Sequence, residues 1–172
     1  MRVSNIRTQL TVPALFICLS VLTAGCRRPD VSEQMKPILE KYVQAWNTGD
    51  FQGLDNIVSE QFELRMSPKF ETVRSLDSLK RAITYWRTAY PDFNLTLDEV
   101  LCAASAVSCR WTIHATNSGP GKMPPTGKSV VVPGMSILHV SAGKITDEWI
   151  FGNDLYWMMQ LGFTVAPPAS GK

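Results

Sequence analysis

The sequence predicts an α+β domain in which helices pack on one face of a curved antiparallel sheet. Apolar residues recur at helical spacing over residues 31–46 and again over 79–90. From residue 93 to 151, apolar and polar residues alternate in four segments separated by turn residues, a pattern typical of half-buried strands. Helices followed by a meander of strands indicate an α+β order, and a strongly curved sheet closed by helices would leave a pocket at its mouth.

The ends of the predicted helices are marked by specific residues. Pro37 lies early in the first helical pattern, so we expect the regular helix to start near it or its first turn to be kinked. Gly49 suits the C′ position that ends this helix. Ser75 is the expected N-cap of the second long helix, which Pro91 ends. Asp154 is the expected N-cap of a last, short helix.

The predicted strands include one that contains a proline. Residues 62–66 alternate apolar and charged side chains and predict a strand that precedes the second long helix. The strand region 129–140 is interrupted by Pro133-Gly134. Because proline cannot donate to a strand ladder, we expect this strand to lie at a sheet edge or to be bulged there. Ala142-Gly143 then turns the chain, and an antiparallel strand returns.

The N-terminus has the parts of a secretory signal peptide. Arg2 and Arg7 precede a mostly apolar run over residues 10–22, which is too short to span a bilayer. Small residues directly before Cys26 resemble a bacterial lipobox, which implies a lipid on Cys26 and a membrane-anchored lipoprotein in the cell envelope, facing the periplasm or the exterior. The alternative is an ordinary signal peptide cut near a cysteine. The expected organisation is a signal peptide at 1–25, a lipid-attached linker at 26–32, one domain at 33–165 and a flexible tail at 166–172.

Charge and cysteine content exclude several functions. The full chain has a net charge of +2, but both signal-peptide arginines would be removed, which leaves 15 basic and 15 acidic residues. A neutral domain argues against a nucleic-acid partner, and no Cys/His cluster suggests a metal or another cofactor. Cys102 and Cys109 flank a predicted hairpin centred on Ser105 and Ala106. They are expected to lie opposite each other and form a disulfide, or to remain buried free thiols.

Five segments together resemble the SnoaL-like polyketide cyclase family within the NTF2-like superfamily. They are Trp-Asn-x-Gly-Asp at the end of residues 42–50, Tyr-Pro-Asp-Phe at 90–93, Pro-Pro-Thr-Gly-Lys at 124–128, Gly-Lys-Ile-x-x-x-Trp at 143–149 and the closing segment at 153–162. The resemblance implies a cone of three to four helices packed against a curved antiparallel sheet around a pocket. This fold hosts isomerases, cyclases, hydrolases, dehydratases and many non-enzymes, so it does not assign a function. It also implies a possible homodimer.

The resemblance places the family's acid/base residues on two unsuitable positions. The family aspartate that follows the hairpin tryptophan falls on Ile150, and its polar partner falls on Ser136, expected opposite Trp149 or Ile150. Isoleucine cannot move a proton, so the family's cyclase chemistry is in doubt. Glu148 shares strand parity with Ile150 and is a candidate catalytic acid or base, or alternatively a rim residue paired with a basic side chain.

Further candidates have equally plain structural alternatives. His114 is the second candidate acid or base, or a polar residue at a strand end, whereas His139 is expected outside the pocket. Asn47 and Arg110 are candidate pocket residues. The aromatic residues either line the pocket or pack in the core; they are Trp46, Tyr85, Trp86, Trp111 and Trp149.

Three functions remain open from the sequence. The first is a pocket protein that binds a small, largely apolar molecule and has lost the family's cyclase activity. The second is an enzyme of the isomerase, cyclase or hydratase type that uses Glu148 or His114. The third is an envelope module that binds a protein partner through its sheet. A deep pocket with a buried Glu148 and His114 would favour the second, and a filled core would favour the third.

Overall fold

The fold is α+β, as predicted, with three helices packed against one six-stranded sheet. The computed structural model of the protein describes residues 31–67 and 71–166, so the predicted signal peptide, Cys26 and most of the tail lie outside the described residues. The helices are α1 (Val31–Thr48), α2 (Leu76–Ala89) and α3 (Asp154–Gln160), and a 3₁₀ turn covers Leu54–Asn56. No helix in this part of the chain is long and apolar enough to cross a membrane.

The sheet is antiparallel except for one pair of strands. The strands are β1 (Val58–Met66), β2 (Glu71–Arg74), β3 (Asn94–Cys102), β4 (Ala106–Thr116), β5 (Ser129–Ser141) and β6 (Lys144–Gly152). Their order across the sheet is β2-β1-β6-β5-β4-β3, and β1 runs parallel to β6. Strands β3 to β6 are the predicted meander, whereas β2 was not predicted because only four residues form it.

Helix α1 is longer than predicted at its start and ends as predicted. It begins at Val31 and contains Pro37, which removes only the donor to the carbonyl of the exposed residue Glu33. At the other end Gly49 adopts a φ of 71° and donates its N–H to the Ala45 carbonyl at 2.9 Å. This is the αL glycine expected after a helix.

The end of α1 is fastened to its neighbours by two polar side chains. Asn47 accepts a hydrogen bond from the Leu95 N–H at 2.7 Å and donates to the Leu95 carbonyl at 2.9 Å. Arg87 of α2 donates to the carbonyls of Trp46, Asn47 and Phe93. These bonds hold α1 against β3 and α2, which leaves the inner face of the sheet covered by helices.

The other two helices differ in how well their caps were predicted. Ser75 caps α2 as predicted, because its hydroxyl accepts from the Ser78 N–H at 3.3 Å. The prediction of Asp154 as the cap of α3 is wrong. Asn153 is the N-cap and accepts from the Tyr156 N–H at 3.2 Å, since asparagine caps a helix as well as aspartate does. The Asp154 side chain therefore does not cap the helix.

The prediction that Pro133 marks an edge or a bulge is also wrong. Strand β5 lies between β4 and β6, and its register with β4 runs without a shift through Thr112↔Pro133 and Trp111↔Gly134. The Pro133 carbonyl accepts from Asn153, just beyond the end of β6. The N and C=O of one strand residue point to the same side of the strand, so the nitrogen of Pro133 also faces β6. Because the pairing with β6 ends beside Pro133, the N–H that proline lacks removes no hydrogen bond from the ladder.

The predicted disulfide is wrong as well. The hairpin between β3 and β4 is centred one residue earlier than predicted, so that Cys102 pairs with Val107 and Cys109 pairs with Val100. The cysteines therefore stand diagonally on one face, and both are free thiols. Diagonal neighbours lie about 7–8 Å apart, beyond the usual reach of a disulfide.

The inner face of the sheet is shaped by a contact between Trp111 and Gly134. A Cβ atom on Gly134 would lie 2.1 Å from Cη2 of Trp111, whose ring covers this glycine on the neighbouring strand. Gly152, which pairs with Gly134 from β6, would bring its Cβ no closer than 4.0 Å to that ring and 3.3 Å to an Asp154 oxygen. The lack of a side chain at Gly134 therefore positions the Trp111 indole.

We expect Gly134→Ala to destabilise the domain by about 2–3 kcal/mol, because the buried indole must move to admit the methyl group. Gly152→Ala is the matched control and should cost less than about 1 kcal/mol, since its methyl group meets a flexible carboxylate. Urea unfolding of both variants would measure the difference. Equal stability of the two would contradict the placement of Trp111.

Candidate functional site

A cavity of about 470 Å³ lies between the inner face of the sheet and the three helices. Its walls are mostly apolar, and they include four residues of α1, alternating residues of β3 to β6, and side chains of α2 and α3. This volume falls within the range of small-molecule sites, which is about 300–1,000 Å³. The predicted pocket is therefore present in the fold.

One end of the cavity carries a network of buried polar groups. The Tyr42 hydroxyl of α1 donates to Oε2 of Glu148 on β6 at 2.6 Å. The Ser136 hydroxyl of β5 also stabilises the Glu148 carboxylate, and it accepts a hydrogen bond from Nε1 of Trp111 at 2.9 Å. Glu148 is 4% exposed and is the one charged residue that is buried in the described part of the chain.

Burial determines the protonation of this network. It raises the pKa of Glu148 above its usual value, although the hydrogen bonds from Tyr42 and Ser136 act in the opposite direction. The pKa of Tyr42 is raised well above its ordinary value by burial and by the negative charge of Glu148. For the same reasons the pKa of the neighbouring Cys109 thiol rises to about 12, so this thiol is not a nucleophile at neutral pH.

A second carboxyl group lines the cavity at its other end. Asp154 is the first residue of α3, and it accepts a long hydrogen bond of 3.4 Å from the Ser67 hydroxyl. Burial raises the pKa of Asp154, and the Ser67 bond opposes that rise. Asp154 was placed at a helix cap by the sequence analysis, so its place in the cavity was missed.

Most of the predicted pocket residues do lie in the cavity wall. Glu148, Ser136 and Ile150 line it together, and Ser136 stands directly opposite Ile150 in the strand register, as predicted. Trp46 and Trp86 line it from α1 and α2. The interpretation of Glu148 as an exposed rim residue is excluded by its burial and by its bond to Tyr42.

Several other predictions place residues wrongly. His114 and Arg110 lie exposed on the outer face of β4, where Arg110 pairs with Asp98 at 3.1 Å. Cys109, Trp111 and Ile113 take the inner face, so the residues between them must point outwards. His114 therefore cannot act in the cavity, and the predicted convergence with Glu148 does not occur.

Three further candidates also fall outside the cavity wall. Asn47 is occupied by its two bonds to Leu95. Tyr85 is 36% exposed, and the Trp149 ring lies on the outer face under the Arg65 guanidinium, 5.0 Å from its centroid. His139 lies outside as predicted, where Nδ1 is 2.8 Å from an Asp147 oxygen.

Tyr42 is the main residue of the candidate site that the sequence analysis missed. It belongs to the apolar stripe of α1 together with Leu39 and Trp46, so its ring looked like ordinary core packing. The available signal was a phenol in a stripe that faces a strand with a carboxylate, because a buried tyrosine hydroxyl needs a partner. Within the described residues no group of three or more His, Cys, Asp or Glu side chains could hold a metal ion.

Solved structures with this fold include proteins from several bacteria. TsrD from Streptomyces laurentii is 25% identical with a TM-score of 0.66, covering 76% of this chain and 96% of its own. A SnoaL-like protein from Jannaschia sp. CCS1 is 17% identical with a TM-score of 0.70, covering 84% and 100%. A SnoaL-like polyketide cyclase from Agrobacterium tumefaciens is 18% identical with a TM-score of 0.63, covering 74% and 98%.

Sequence comparisons give the family. No curated protein matches the chain significantly. The model of the SnoaL-like polyketide cyclase family matches residues 36–161, which include the cavity residues of all three helices and of the whole meander. The chain therefore belongs to the SnoaL-like polyketide cyclase family.

Proposed function

We propose that this protein is a lipid-anchored, extracytoplasmic binding protein for a small, largely apolar molecule. The observation that carries the proposal is the cavity of about 470 Å³, whose apolar walls end in the buried carboxyl group of Glu148. An apolar pocket with a few convergent polar groups is the common form of a small-molecule site. The ligand's apolar body fills the cavity, and a polar group on it meets Glu148.

The charge of the cavity restricts the ligand further. The described residues that line the cavity include Glu148 and Asp154 but no lysine, arginine or histidine. An anionic ligand would therefore lose its hydration and meet no positive partner. The ligand that fits this wall is therefore not an anion, and it has few polar groups.

The proposal does not include the chemistry that the family motif implies. The position of the family aspartate holds Ile150, which lines the cavity with a hydrocarbon side chain. Its partner position holds Ser136, whose hydroxyl is engaged by Trp111 and Glu148. A ligand at Ile150 meets no acid or base there, which supports binding without the family's cyclase reaction.

A second candidate function is acid/base catalysis by Glu148. Burial raises the pKa of this carboxyl, and a carboxyl that keeps its proton can act as a general acid. Because the Tyr42 hydroxyl donates to Oε2 at 2.6 Å, any proton transfer at this oxygen would also involve that hydrogen bond. The enzyme would be of the isomerase, cyclase or hydratase type, with Glu148 two residues before the family's acid position.

The outer sheet face offers less support for a role as a protein-interaction module. Met135 is 51% exposed and Ile137 is 41% exposed on this face, so the surface is partly apolar. A protein that acted only through this face would have no use for a cavity, and filling the cavity would stabilise it. The same face is where a homodimer implied by the family would form.

The lipid anchor follows from the sequence before Val31. Four residues separate Cys26 from Val31, where α1 begins, so the five Cα–Cα steps between them can span at most about 17 Å. A lipid on Cys26 would thus hold the domain at the membrane surface. The cavity would be presented to apolar molecules that partition into or leave the bilayer.

We expect the domain of residues 27–172 to bind the neutral fluorophore N-phenyl-1-naphthylamine at one site. Ile150→Trp should weaken this binding more than 10-fold, because the larger side chain enters the cavity. Ile137→Trp is the matched control on the facing strand, where the side chain points outwards, and it should bind like the wild type. A fluorescence titration gives each dissociation constant. Equal binding by both variants, or none by the wild type, would overturn the binding proposal.

The raised pKa of Glu148 predicts a pH-dependent difference in stability between the wild type and Glu148→Gln. The unfolded chain releases this proton near pH 4.3, whereas the folded protein holds it to a higher pH. Between about pH 4.3 and the pKa of Glu148 in the folded protein, the free energy of unfolding of the wild type should therefore fall by about 1.4 kcal/mol per pH unit relative to that of the variant.

Urea unfolding of both proteins between pH 4 and 8 measures this difference. Glu60→Gln is the control, because Glu60 is an exposed carboxylate on β1 and should leave the pH profile unchanged. Parallel profiles for wild type and Glu148→Gln would mean that Glu148 ionises normally. Catalysis by a protonated Glu148 would then lose its basis.

Lipid attachment predicts that Cys26→Ser in the full chain abolishes incorporation of an alkyne-labelled fatty acid in a bacterial host and releases the protein from the membrane fraction. Cys102→Ser, which changes a cysteine within the domain, should keep both the label and the membrane association. Labelling that survives Cys26→Ser would place any lipid elsewhere. An unlabelled wild type would leave only an ordinary signal peptide.

A further inference from the structure

Two tryptophan rings form an aromatic corner in the part of the cavity wall that belongs to α2 and α3. Trp86 comes from α2 and Trp157 comes from α3, and both rings are half-buried and line the cavity. Their centroids are 5.3 Å apart, and their planes meet at 53°. The buried ring of Tyr90 packs against both, with centroids 5.8 Å from Trp86 and 6.2 Å from Trp157. These contacts hold the aromatic corner in place.

A carboxyl group with one weak partner lies beside the aromatic corner. Asp154 is three residues before Trp157 on α3, a spacing that places two side chains on the same face of a helix, and both line the cavity. In the described residues the Ser67 hydroxyl, at 3.4 Å, is the hydrogen-bond partner of Asp154. A Cβ atom on Gly152 would lie 3.3 Å from Oδ1 of Asp154, so the lack of a side chain there leaves space beside this oxygen.

Asp154 and Glu148 mark different ends of the cavity. Glu148 lies four residues before Gly152, a distance of about 13 Å along an extended strand, and α3 begins just beyond Gly152. Glu148 already has the Tyr42 hydroxyl as a partner at 2.6 Å and is almost completely buried. Asp154 is half-buried and has only the long bond from Ser67. Asp154 is therefore the carboxyl group that can take a charged partner from a ligand.

An organic cation is the partner that suits this end of the cavity. The face of a tryptophan ring attracts a cation that lies within about 6 Å of its centroid, and the Trp86 and Trp157 centroids are close enough for one cation to contact both rings. No lysine, arginine or histidine in the described wall competes for these groups. Burial raises the pKa of Asp154, and a cation beside it would stabilise the ionised carboxylate that burial disfavours.

We propose that Trp86, Trp157 and Asp154 form a binding site for the ammonium group of an amphipathic ligand. The inference rests on the proposed binding function and names the class of ligand. The ligand has an apolar body that lies along β6 and a protonated or quaternary amine at the end remote from Glu148. The two rings contact the cation by their faces, and the Asp154 carboxylate balances its charge.

Two probes of the same shape and different charge test this site. Benzyltrimethylammonium and neopentylbenzene differ in that a quaternary nitrogen replaces a quaternary carbon. Each would displace N-phenyl-1-naphthylamine from residues 27–172 in a fluorescence titration, and the ratio of their dissociation constants gives the preference for the cation. We expect the wild type to bind the cation about 5-fold more tightly than the neutral probe, which is the size of a cation–π contribution.

Three variants test the residues of the site. Asp154→Asn should weaken binding of the cation about 5-fold and leave the neutral probe unaffected, because asparagine keeps the size of the side chain and removes its charge. Trp86→Leu should weaken binding of the cation about 5-fold more than it weakens binding of the neutral probe. Asp77→Asn is the matched control, since Asp77 is an exposed carboxylate in the first turn of α2, and it should keep the wild-type preference. Binding of the neutral probe shows that each variant is folded.

The outcomes separate this inference from the proposed function. Equal or tighter binding of neopentylbenzene by the wild type would overturn the ammonium site and leave the binding function standing, and so would displacement by neither probe. An unchanged preference in Asp154→Asn or in Trp86→Leu would also overturn the site. A preference lost in Glu148→Gln but kept in Asp154→Asn would move the cation to the other end of the cavity. Failure of N-phenyl-1-naphthylamine itself to bind would overturn the proposed function together with the inference.

Discussion

The hydrogen bond between Tyr42 and Glu148 joins helix α1 to strand β6 at the polar end of the cavity. A carboxyl group in an apolar wall is tolerated only when its oxygens are engaged, and here Tyr42 and Ser136 engage them. Ser136 is in turn held by Trp111, whose ring can lie over Gly134 because this residue has no side chain. Through this chain of contacts, the position of one carboxyl depends on α1 and on β4, β5 and β6. The polar end of the cavity is therefore a rigid part of the fold.

That chain of contacts supports the proposal that this protein does not use the acid/base pair of the family motif. Glu148 and Ile150 share one face of β6 but lie about 7 Å apart along the strand. A substrate positioned for an acid at residue 150 would meet hydrocarbon there, and the carboxyl would lie one side-chain repeat away. The serine opposite Ile150 is already engaged, so it cannot take over the proton transfer. The carboxyl groups that remain in the described cavity wall are those of Glu148 and Asp154.

The sequence predicted the fold well because most of its elements follow local rules. The helix that ends at Gly49, the Ser75 cap and the turn at Ala142-Gly143 each depend on a few adjacent residues. The failures are those that require knowledge of neighbouring strands. Whether His114 or Trp111 faces the cavity is decided by the whole sheet, since alternation leaves both choices open. Pro133 is tolerated in a central strand only because β6 ends beside it, and the unpaired Cys102 and Cys109 reflect a hairpin shift of a single residue.

Three features that do not favour stability coincide in the cavity. The protein leaves a volume of about 470 Å³, the wall of this volume holds the one buried charged residue of the described chain, and the same wall includes Tyr90, whose buried hydroxyl has no hydrogen-bond partner in the described residues. Each could be removed by a simple substitution, because a larger apolar residue fills space, glutamine removes the charge and phenylalanine removes the hydroxyl. Elsewhere in the described core, apolar groups pack closely and the buried side chain of Asn117 is bonded. Features that cost stability concentrate where a protein binds its ligand. Their coincidence at one place supports a binding site more strongly than the volume of the cavity alone.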